Sequence, residues 1–200
     1  MDTKGISSYP KKGLQIGALL GFLDETGFSD RPTVRKTWAP KGKTPIVTIA
    51  GGWKNKTLIG TIVTDPLGKK PAKFYGMIPP ASVHANDCIV YLKYLKRHLK
   101  DKKLIILWDG LSAHTAKVTQ AYIASQKDWL TVVRTPTYAP EVNPPEYLWA
   151  AMKTKDCSNT ESANTEELEE HIRRSIHRVK RNPTLLRGCL NGSGLFDKLV

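Results

Sequence analysis

The stretch Leu-Ile-Ile-Leu-Trp at residues 104–108, followed directly by Asp109, decides the fold. Five consecutive apolar residues predict a short strand that is buried on both faces, which is typical of the parallel part of a sheet. Parallel strands need crossover connections, which are usually helices. The segments on either side of this strand should therefore be helical.

The segment before the strand predicts an amphipathic helix, because its apolar residues recur at steps of four, three and four. These residues are Cys88, Leu92, Leu95 and Leu99. Asn86 or Asp87 is expected to cap the start of this helix. After the strand, residues 114–126 predict a helix, residues 129–133 predict another strand, and a further helix begins at Pro144. A last helix is predicted over residues 165–181.

Three strands are predicted before the first helix. Residues 14–23 form a mostly apolar run that ends at Asp24, and its second half predicts a strand. The β-branched segments 45–51 and 57–64 predict a hairpin across a turn-rich link. Three antiparallel strands followed by alternating helices and strands predict an α/β fold, with a mixed sheet flanked by helices. We expect one domain over residues 14–190, with residues 1–13 and 191–200 as tails.

The composition is that of a basic globular protein. A formal charge of +13 favours a polyanionic partner such as nucleic acid. Cys88, Cys157 and Cys189 form no C-x-x-C pair, which excludes a zinc ribbon and argues against a disulfide framework. A cytoplasmic location is therefore expected. No apolar run reaches the roughly 18 residues of a membrane span, so nucleic acid is favoured over a membrane as partner.

Three acidic residues follow strands or begin a helix: Asp24, Asp109 and Glu146. Ligands of open α/β sheets gather beyond the carboxyl ends of strands, so these side chains can converge there. Carboxylates packed together repel each other, and a divalent cation removes that penalty. Oxygen ligands without cysteine or histidine suit Mg²⁺ or Mn²⁺, and two such ions form the usual clamp for phosphodiester displacement.

Each acid also has a purely structural interpretation. Asp24 can be a turn residue, and Asp109 precedes Gly110, which is a turn signature. Glu146 can be the third residue of a helix that Asn143 caps. Glu25 is an alternative to Asp24, but successive strand side chains point to opposite faces, so only one of the two can face the site. Glu141 is a second candidate in place of Glu146.

Four stretches show a more specific pattern. They read FLDETGF at 22–28, TWAPKGKTP at 37–45, LWDGLSAH at 107–114 and TPTYAPEVNPPEYLW at 135–149. Together they resemble the catalytic domain of the DDE transposases, in the branch that joins mariner-type elements to bacterial insertion-sequence relatives. The resemblance covers about residues 14–190, and the string YAPEVNPPEYLW is its most specific part. The family's upstream helix-turn-helix region is not among these 200 residues.

The resemblance implies a ribonuclease-H-like fold and a triad of Asp24, Asp109 and Glu146 that holds two Mg²⁺ or Mn²⁺ ions. Between the second and third acids lie 36 residues, which fits the spacing of this group. Gly110 stands where relatives usually have Asn, and Pro145 replaces an aliphatic residue. The implied activity is hydrolysis at transposon ends, followed by transfer of the freed 3′ hydroxyl into target DNA.

The same resemblance implies double-stranded DNA as partner, both as terminal repeats and as a target with a T-A step, and a homodimer when active. A bacterial, nucleoid-associated setting is expected. The alternative is a catalytically inactive, basic DNA-binding remnant. A different nuclease on the same fold, such as a resolvase or ribonuclease H, is disfavoured by the transposon-specific string.

His114 matches a histidine of the family pattern. We expect it to be neutral near pH 7 and either to donate to a scissile phosphate or to orient a carboxylate. Clusters of basic residues predict contacts with the DNA backbone. The candidates are Lys69, Lys70, Lys93, Lys96, Arg97, Lys100, Arg173, Arg174 and Arg178.

Overall fold

The computed structural model describes residues 9–29, 40–43, 55–100, 102–135, 143–156 and 164–196. These residues form one five-stranded sheet and seven helices. The strands are β1 (Leu19–Ser29), β2 (Asn55–Thr64), β3 (Lys73–Met77), β4 (Leu104–Trp108) and β5 (Leu130–Arg134). The helices are α1 (Tyr9–Ile16), α2 (Ala85–Leu99), α3 (Ser112–Thr115), α4 (Lys117–Ser125), α5 (Pro144–Asp156), α6 (Thr165–Lys180) and α7 (Pro183–Gly192).

The sheet is mixed, as the sequence predicts. Its strand order is β3-β2-β1-β4-β5. β1 pairs antiparallel with β2, and β2 with β3, whereas β4 runs parallel to both β1 and β5. The third antiparallel strand is β3, which the sequence analysis missed because Lys-Phe-Tyr-Gly-Met is short and weakly patterned. The other half of the predicted hairpin, residues 45–51, lies outside the described residues.

Each face of the sheet has its own apolar core. Phe22 of β1 packs with α5, α6 and α7, whereas its neighbour Leu23 packs with α2 on the opposite face. The alternation of strand side chains thus sorts adjacent residues of β1 into different cores. On the α5 face, Trp149 lies so close to β2 that a Cβ on Gly60 would come within 2.4 Å of the indole. Glycine at position 60 therefore permits the approach of α5.

Several helix boundaries differ from the prediction. The helix predicted over residues 114–126 is broken at Ala116, where φ is −55° and ψ is 140°, into α3 and α4. α2 begins at Ala85, and Asp87 acts from its third position by accepting a 2.9 Å hydrogen bond from the backbone N–H of His84. α7 lies beyond the last helix that the sequence predicts.

The predicted tails contain structure at both ends. α1 begins at Tyr9, inside the segment predicted as the first tail, and Pro10 in it is buried. At the other end, Leu195 and Phe196 pack against the core on the α5 face. Both of the predicted tails therefore contribute apolar side chains to the core on the α5 face. No described helix combines the length and apolar character that crossing a bilayer requires.

Candidate active site

Asp24 lies on β1 and points toward α5. It is only 9% exposed, and its Oδ2 accepts hydrogen bonds from Asn143 Nδ2 at 2.9 Å and Trp149 Nε1 at 3.1 Å. Burial, assisted by the negative charges of Glu25 and Glu146, outweighs these bonds and raises its pKa to about 7. A carboxylate in this position is therefore stabilised by any cation that binds beside it.

Glu25 lies on the opposite face of β1, as the alternation of strand side chains requires. Its Oε1 accepts hydrogen bonds from Trp108 Nε1 at 3.3 Å and His114 Nε2 at 3.1 Å. Its Oε2 is buried and has no hydrogen-bond partner among the described residues. Asp24 and Glu25 therefore have different surroundings, and Asp24 is the one that shares a face with α5.

Asp109 follows β4 directly and is held by His114. His114 Nδ1 lies 2.6 Å from Asp109 Oδ1, and the same oxygen accepts from the backbone N–H of Leu111 at 3.2 Å. Burial alone would raise the pKa of Asp109, but these hydrogen bonds and the charges of His114 and Arg134 lower it. Asp109 is therefore a carboxylate at neutral pH.

His114 is buried between two carboxylates. Burial alone would lower its pKa, but hydrogen bonds to Asp109, Cys88 and Glu25 raise the pKa to about 11. The raised pKa favours the protonated ring between the two carboxylates, whereas the sequence predicts a neutral histidine. Of its two expected roles, orienting a carboxylate is the one that this geometry supports.

Arg134, at the end of β5, fixes the loop that carries Asp109. Its guanidinium donates to the carbonyl oxygen of Asp109 at 2.5 Å and to that of His114 at 2.7 Å. The same group lies 5.5 Å from the ring centroid of Trp108. No local sequence pattern predicts this role of Arg134. Arg134 pairs with Trp108 in the parallel register of β4 and β5, which places it beside Asp109.

Glu146 lies in the first turn of α5 and is exposed. Its backbone N–H donates to the carbonyl oxygen of Asn143 at 3.0 Å, so it occupies the third helical position as expected. The side-chain nitrogen of Asn143, however, donates to Asp24. The predicted capping residue therefore also ties the start of α5 to the carboxylate on β1.

The parallel pairing of β1 with β4 ends at Phe22 and Leu107. Asp24 and Asp109 each lie two residues beyond this last pair, Asp24 within β1 and Asp109 after β4. The side chain of Asp109 contacts His114, which also contacts Glu25 on the face of β1 opposite Asp24. Glu146 is close enough for its charge to act on Asp24. The structure therefore associates Glu146 with Asp24 and Asp109 with Glu25, and the binding of a common metal pair by Asp24, Asp109 and Glu146 stays a prediction.

The donor set of this end fits a hard divalent cation. Ligand atoms of Glu25, Asp109 and His114 lie within 4.8 Å of one another. Both ring nitrogens of His114 face carboxylates, however, and an imidazolium has no lone pair to offer a metal. The carboxylate oxygens that the structure gathers here belong to Asp109 and Glu25, on the face of β1 opposite Asp24, and such ligands suit Mg²⁺ or Mn²⁺.

Residues 20–182 match the sequence model of the DDE superfamily endonucleases. The chain belongs to this family. The family and the fold class predicted from the sequence are thereby confirmed. Comparison with curated protein sequences gives no match.

Solved structures of the Mos1 transposase share the fold. A paired-end complex with the left transposon end is 19% identical with a TM-score of 0.58, and it covers 96% of this chain and 59% of that chain. A strand transfer complex is 18% identical, with a TM-score of 0.54 and coverages of 96% and 58%. The catalytic domain of the Mos1 mariner transposase is 16% identical, with a TM-score of 0.52 and coverages of 96% and 89%. This DDE endonuclease chain thus spans about three fifths of the longer Mos1 chains.

The candidate DNA contacts differ in how far other residues already engage them. Arg178 forms a two-pronged pair with Asp156, with Nε at 2.9 Å and Nη2 at 2.6 Å, and so joins α6 to α5. Arg173 lies 2.6 Å from Glu169, and Arg174 lies 3.9 Å from Glu170. The remaining candidates lie on α2, directly after it or before β3, and are exposed: Lys69, Lys70, Lys93, Lys96, Arg97 and Lys100.

Proposed function

We propose that this domain is the catalytic domain of a DNA transposase, which hydrolyses phosphodiester bonds at transposon ends and transfers the 3′ hydroxyl into target DNA. The observation that carries the proposal is the match of residues 20–182 to the DDE endonuclease family. It is supported by the positions of Asp24 and Asp109, each two residues beyond the last pair of β1 and β4, and by the charge of Glu146 acting on Asp24.

Asp24, Asp109 and Glu146 would hold two Mg²⁺ or Mn²⁺ ions. When bound, these ions supply activation of the attacking hydroxyl and stabilisation of the leaving oxygen. Asp24 is suited to this role because its buried carboxylate is short of positive charge in the described structure.

The other residues of the site orient these ligands. Asn143 and Trp149 both donate to Oδ2 of Asp24 and so fix the plane of its carboxylate. His114 and the Leu111 amide both use Oδ1 of Asp109, which leaves Oδ2 to be offered to a cation. Such positioning matters because a metal pair tolerates little error in ligand geometry.

The partner that this function requires is double-stranded DNA, as transposon terminal repeats and as target. A charge of +13 supports it, since phosphate contacts dominate the affinity of proteins for DNA. The Mos1 paired-end complexes support a homodimer that holds two transposon ends. Such a protein would act in the cytoplasm of a bacterium, at the nucleoid.

The alternative function is a basic DNA-binding remnant without catalysis. Gly110 and Pro145, which depart from the family pattern beside two of the three acids, are the observations that favour it.

The two functions are separated by Mn²⁺ titration calorimetry and by cleavage of a duplex that carries the element's terminal repeat. We expect the unaltered protein to bind Mn²⁺ and cut the duplex, and Asp109→Asn to lose both. Asp128→Asn is the matched control, because Asp128 is exposed on the loop before β5. Equal cutting by the unaltered protein and Asp109→Asn contradicts the proposed triad, and DNA binding without Mn²⁺ binding or cleavage supports the remnant.

A further inference from the structure

A cavity of about 840 Å³ lies at the other end of the sheet from the carboxylates. It is lined by residues at the start of β1, the end of β2, the start of β3 and the segment after α2. Leu19 lines it, and Asp24 lies five residues further along β1, which corresponds to about 17 Å. The cavity is therefore separate from the candidate active site.

The cavity combines an apolar floor with a cationic rim. Leu19, Val63 and Leu99 provide the apolar floor, and the rim carries four exposed lysines. These are Lys70, Lys73, Lys100 and Lys102. A volume of this size is typical of sites for small organic ligands, and the lysines select an anion.

Among the described lining residues one is acidic, Asp65, and the local turn uses its carboxylate. Asp65 accepts backbone hydrogen bonds from Leu67 at 3.1 Å and from Lys70 at 2.5 Å. Arg187 holds the same turn by donating to the carbonyl oxygens of Gly68 and Lys69. The turn is thereby fixed in a shape that presents Lys70 to the cavity.

The backbone beside the lysines also indicates a functional position. Lys100 has φ +54°, a conformation that favours glycine, and it is the one described residue other than glycine with positive φ. Strain of this kind concentrates at functional positions.

One wall of the cavity is aromatic. Tyr75 lies beside His98, with ring centroids 6.0 Å apart, and His98 in turn lies 4.2 Å from the ring of Tyr94. Tyr75 and His98 both line the cavity. Aromatic rings of this kind stack on unpaired nucleobases, whereas a base-paired duplex keeps its bases inside the helix.

We propose that this cavity binds one nucleoside phosphate unit, with the base against the apolar floor and Tyr75, and the phosphate at Lys100 and Lys102. The unit is either a free nucleotide or part of a single strand of nucleic acid. The proposal does not rest on the function of the carboxylates at the other end of the sheet.

The ligand class is tested by fluorescence anisotropy with a labelled 12-nucleotide oligothymidylate and three competitors. We expect thymidine 5′-monophosphate to displace the probe and inorganic phosphate at the same concentration not to. A free-nucleotide site gives similar affinities for the mononucleotide and the oligonucleotide, and a strand site gives a higher affinity for the oligonucleotide. The proposal is overturned if inorganic phosphate competes as well as the mononucleotide, or if the same sequence as a duplex competes better than the single strand.

Variants locate the binding. Lys100→Gly combined with Lys102→Ala should weaken binding of the oligonucleotide at least about tenfold at low salt, and should reduce the slope of log K against log salt by about 1.4. Tyr75→Leu should weaken binding of the mononucleotide without changing that slope, because it removes the proposed aromatic contact with the base. The matched control, Lys117→Ala with Lys127→Ala, removes the same charge from exposed positions around α4. Equal losses in the two double variants would show that only total charge matters, and would refute the site.

Loss of folding cannot imitate this result. Glycine relieves the positive φ at position 100, so Lys100→Gly alone should raise the melting temperature by about 2–4 °C while it weakens binding. Mn²⁺ binding by the carboxylates should be unchanged in every cavity variant. A failure of Mn²⁺ binding in the unaltered protein would count against the proposed transposase, whereas a failure of nucleotide binding would count against the cavity alone.

Discussion

The contact between Gly60 and Trp149 predicts that one added methyl group disturbs both stability and the site. In Gly60→Ala, the new Cβ would lie 2.4 Å from Cη2 of Trp149 and 2.8 Å from Cε2 of Phe74, well inside van der Waals contact. The indole is 2% exposed and holds Asp24 through its Nε1, so it cannot move without losing that bond.

The cost follows from these contacts. Overpacking a core by one methyl group destabilises proteins by about 1–3 kcal/mol. For a domain of this size each kcal/mol lowers the melting temperature by about 2–4 °C. A displaced indole also stops donating to Asp24, so we expect weaker Mn²⁺ binding together with the loss of stability.

Urea unfolding followed by circular dichroism measures the first effect, and Mn²⁺ calorimetry the second. Gly27→Ala is the matched control, because its Cβ would meet nothing within 4 Å and alanine is favoured over glycine in a strand. In Gly60→Ala with Trp149→Phe, the smaller ring should recover part of the stability. The reasoning is refuted if Gly60→Ala is as stable as the control, or if the two substitutions add without interaction.

Three further predictions concern other parts of the fold. His114→Ala should lower the free energy of unfolding, measured in urea at pH 7, by about 1.5–3 kcal/mol. The reason is that Glu25 and Asp109 lose the histidine that donates to both of them. The control His177→Ala should leave the free energy of unfolding unchanged, because His177 is exposed. Arg178→Met should cost about 1 kcal/mol by the same measurement, since the pair with Asp156 is partly exposed, and restoration by Arg178→Lys would argue against a two-pronged geometry. Burial raises the pKa of the Cys189 thiol to about 11, so iodoacetamide at pH 8 should label it about 100-fold more slowly in the native protein than in guanidinium, as mass spectrometry of its peptide will show.

The raised pKa of the Cys189 thiol also makes the stability of the protein depend on pH. The thiol has a pKa near 9 in the unfolded chain and near 11 in the native protein. Protonation of the thiol therefore favours the native state. This contribution is fully present below pH 9 and is lost as the pH rises from 9 to 11. The melting temperature should fall more steeply over this range in the unaltered protein than in Cys189→Ser.

Elements with a strong local pattern could be predicted from the sequence. β4 is apolar at all five positions, and α6 has a regular stripe of buried residues behind an Asn164 cap. β3 could not be predicted from the sequence, because it forms a strand through its pairing with β2 rather than through a pattern in its own residues. The break at Ala116 likewise has no proline or glycine to mark it.

The same distinction applies to the site. Asp24 and Asp109 could be found because each directly follows an apolar run of the sequence, although β1 continues past Asp24 to Ser29. The hydrogen bonds to Asp24 from α5 join residues more than a hundred positions apart, so no local pattern contains them. The charge on His114 depends on burial between acids from two strands, which is equally invisible along the chain.

The opposite orientations of Asp24 and Glu25 make the active end sensitive to strand alignment. A slip of β1 by one residue would turn Glu25 toward α5 and Asp24 toward α2, with a carboxylate still present on each side but of different length. Such a protein would keep its charge and its overall shape while losing the bonds from Asn143 and Trp149. The ten cross-strand pairs between β1 and β2 therefore fix the orientation of Asp24 as well as the fold. A one-residue insertion in β1 would be more damaging to catalysis than to expression.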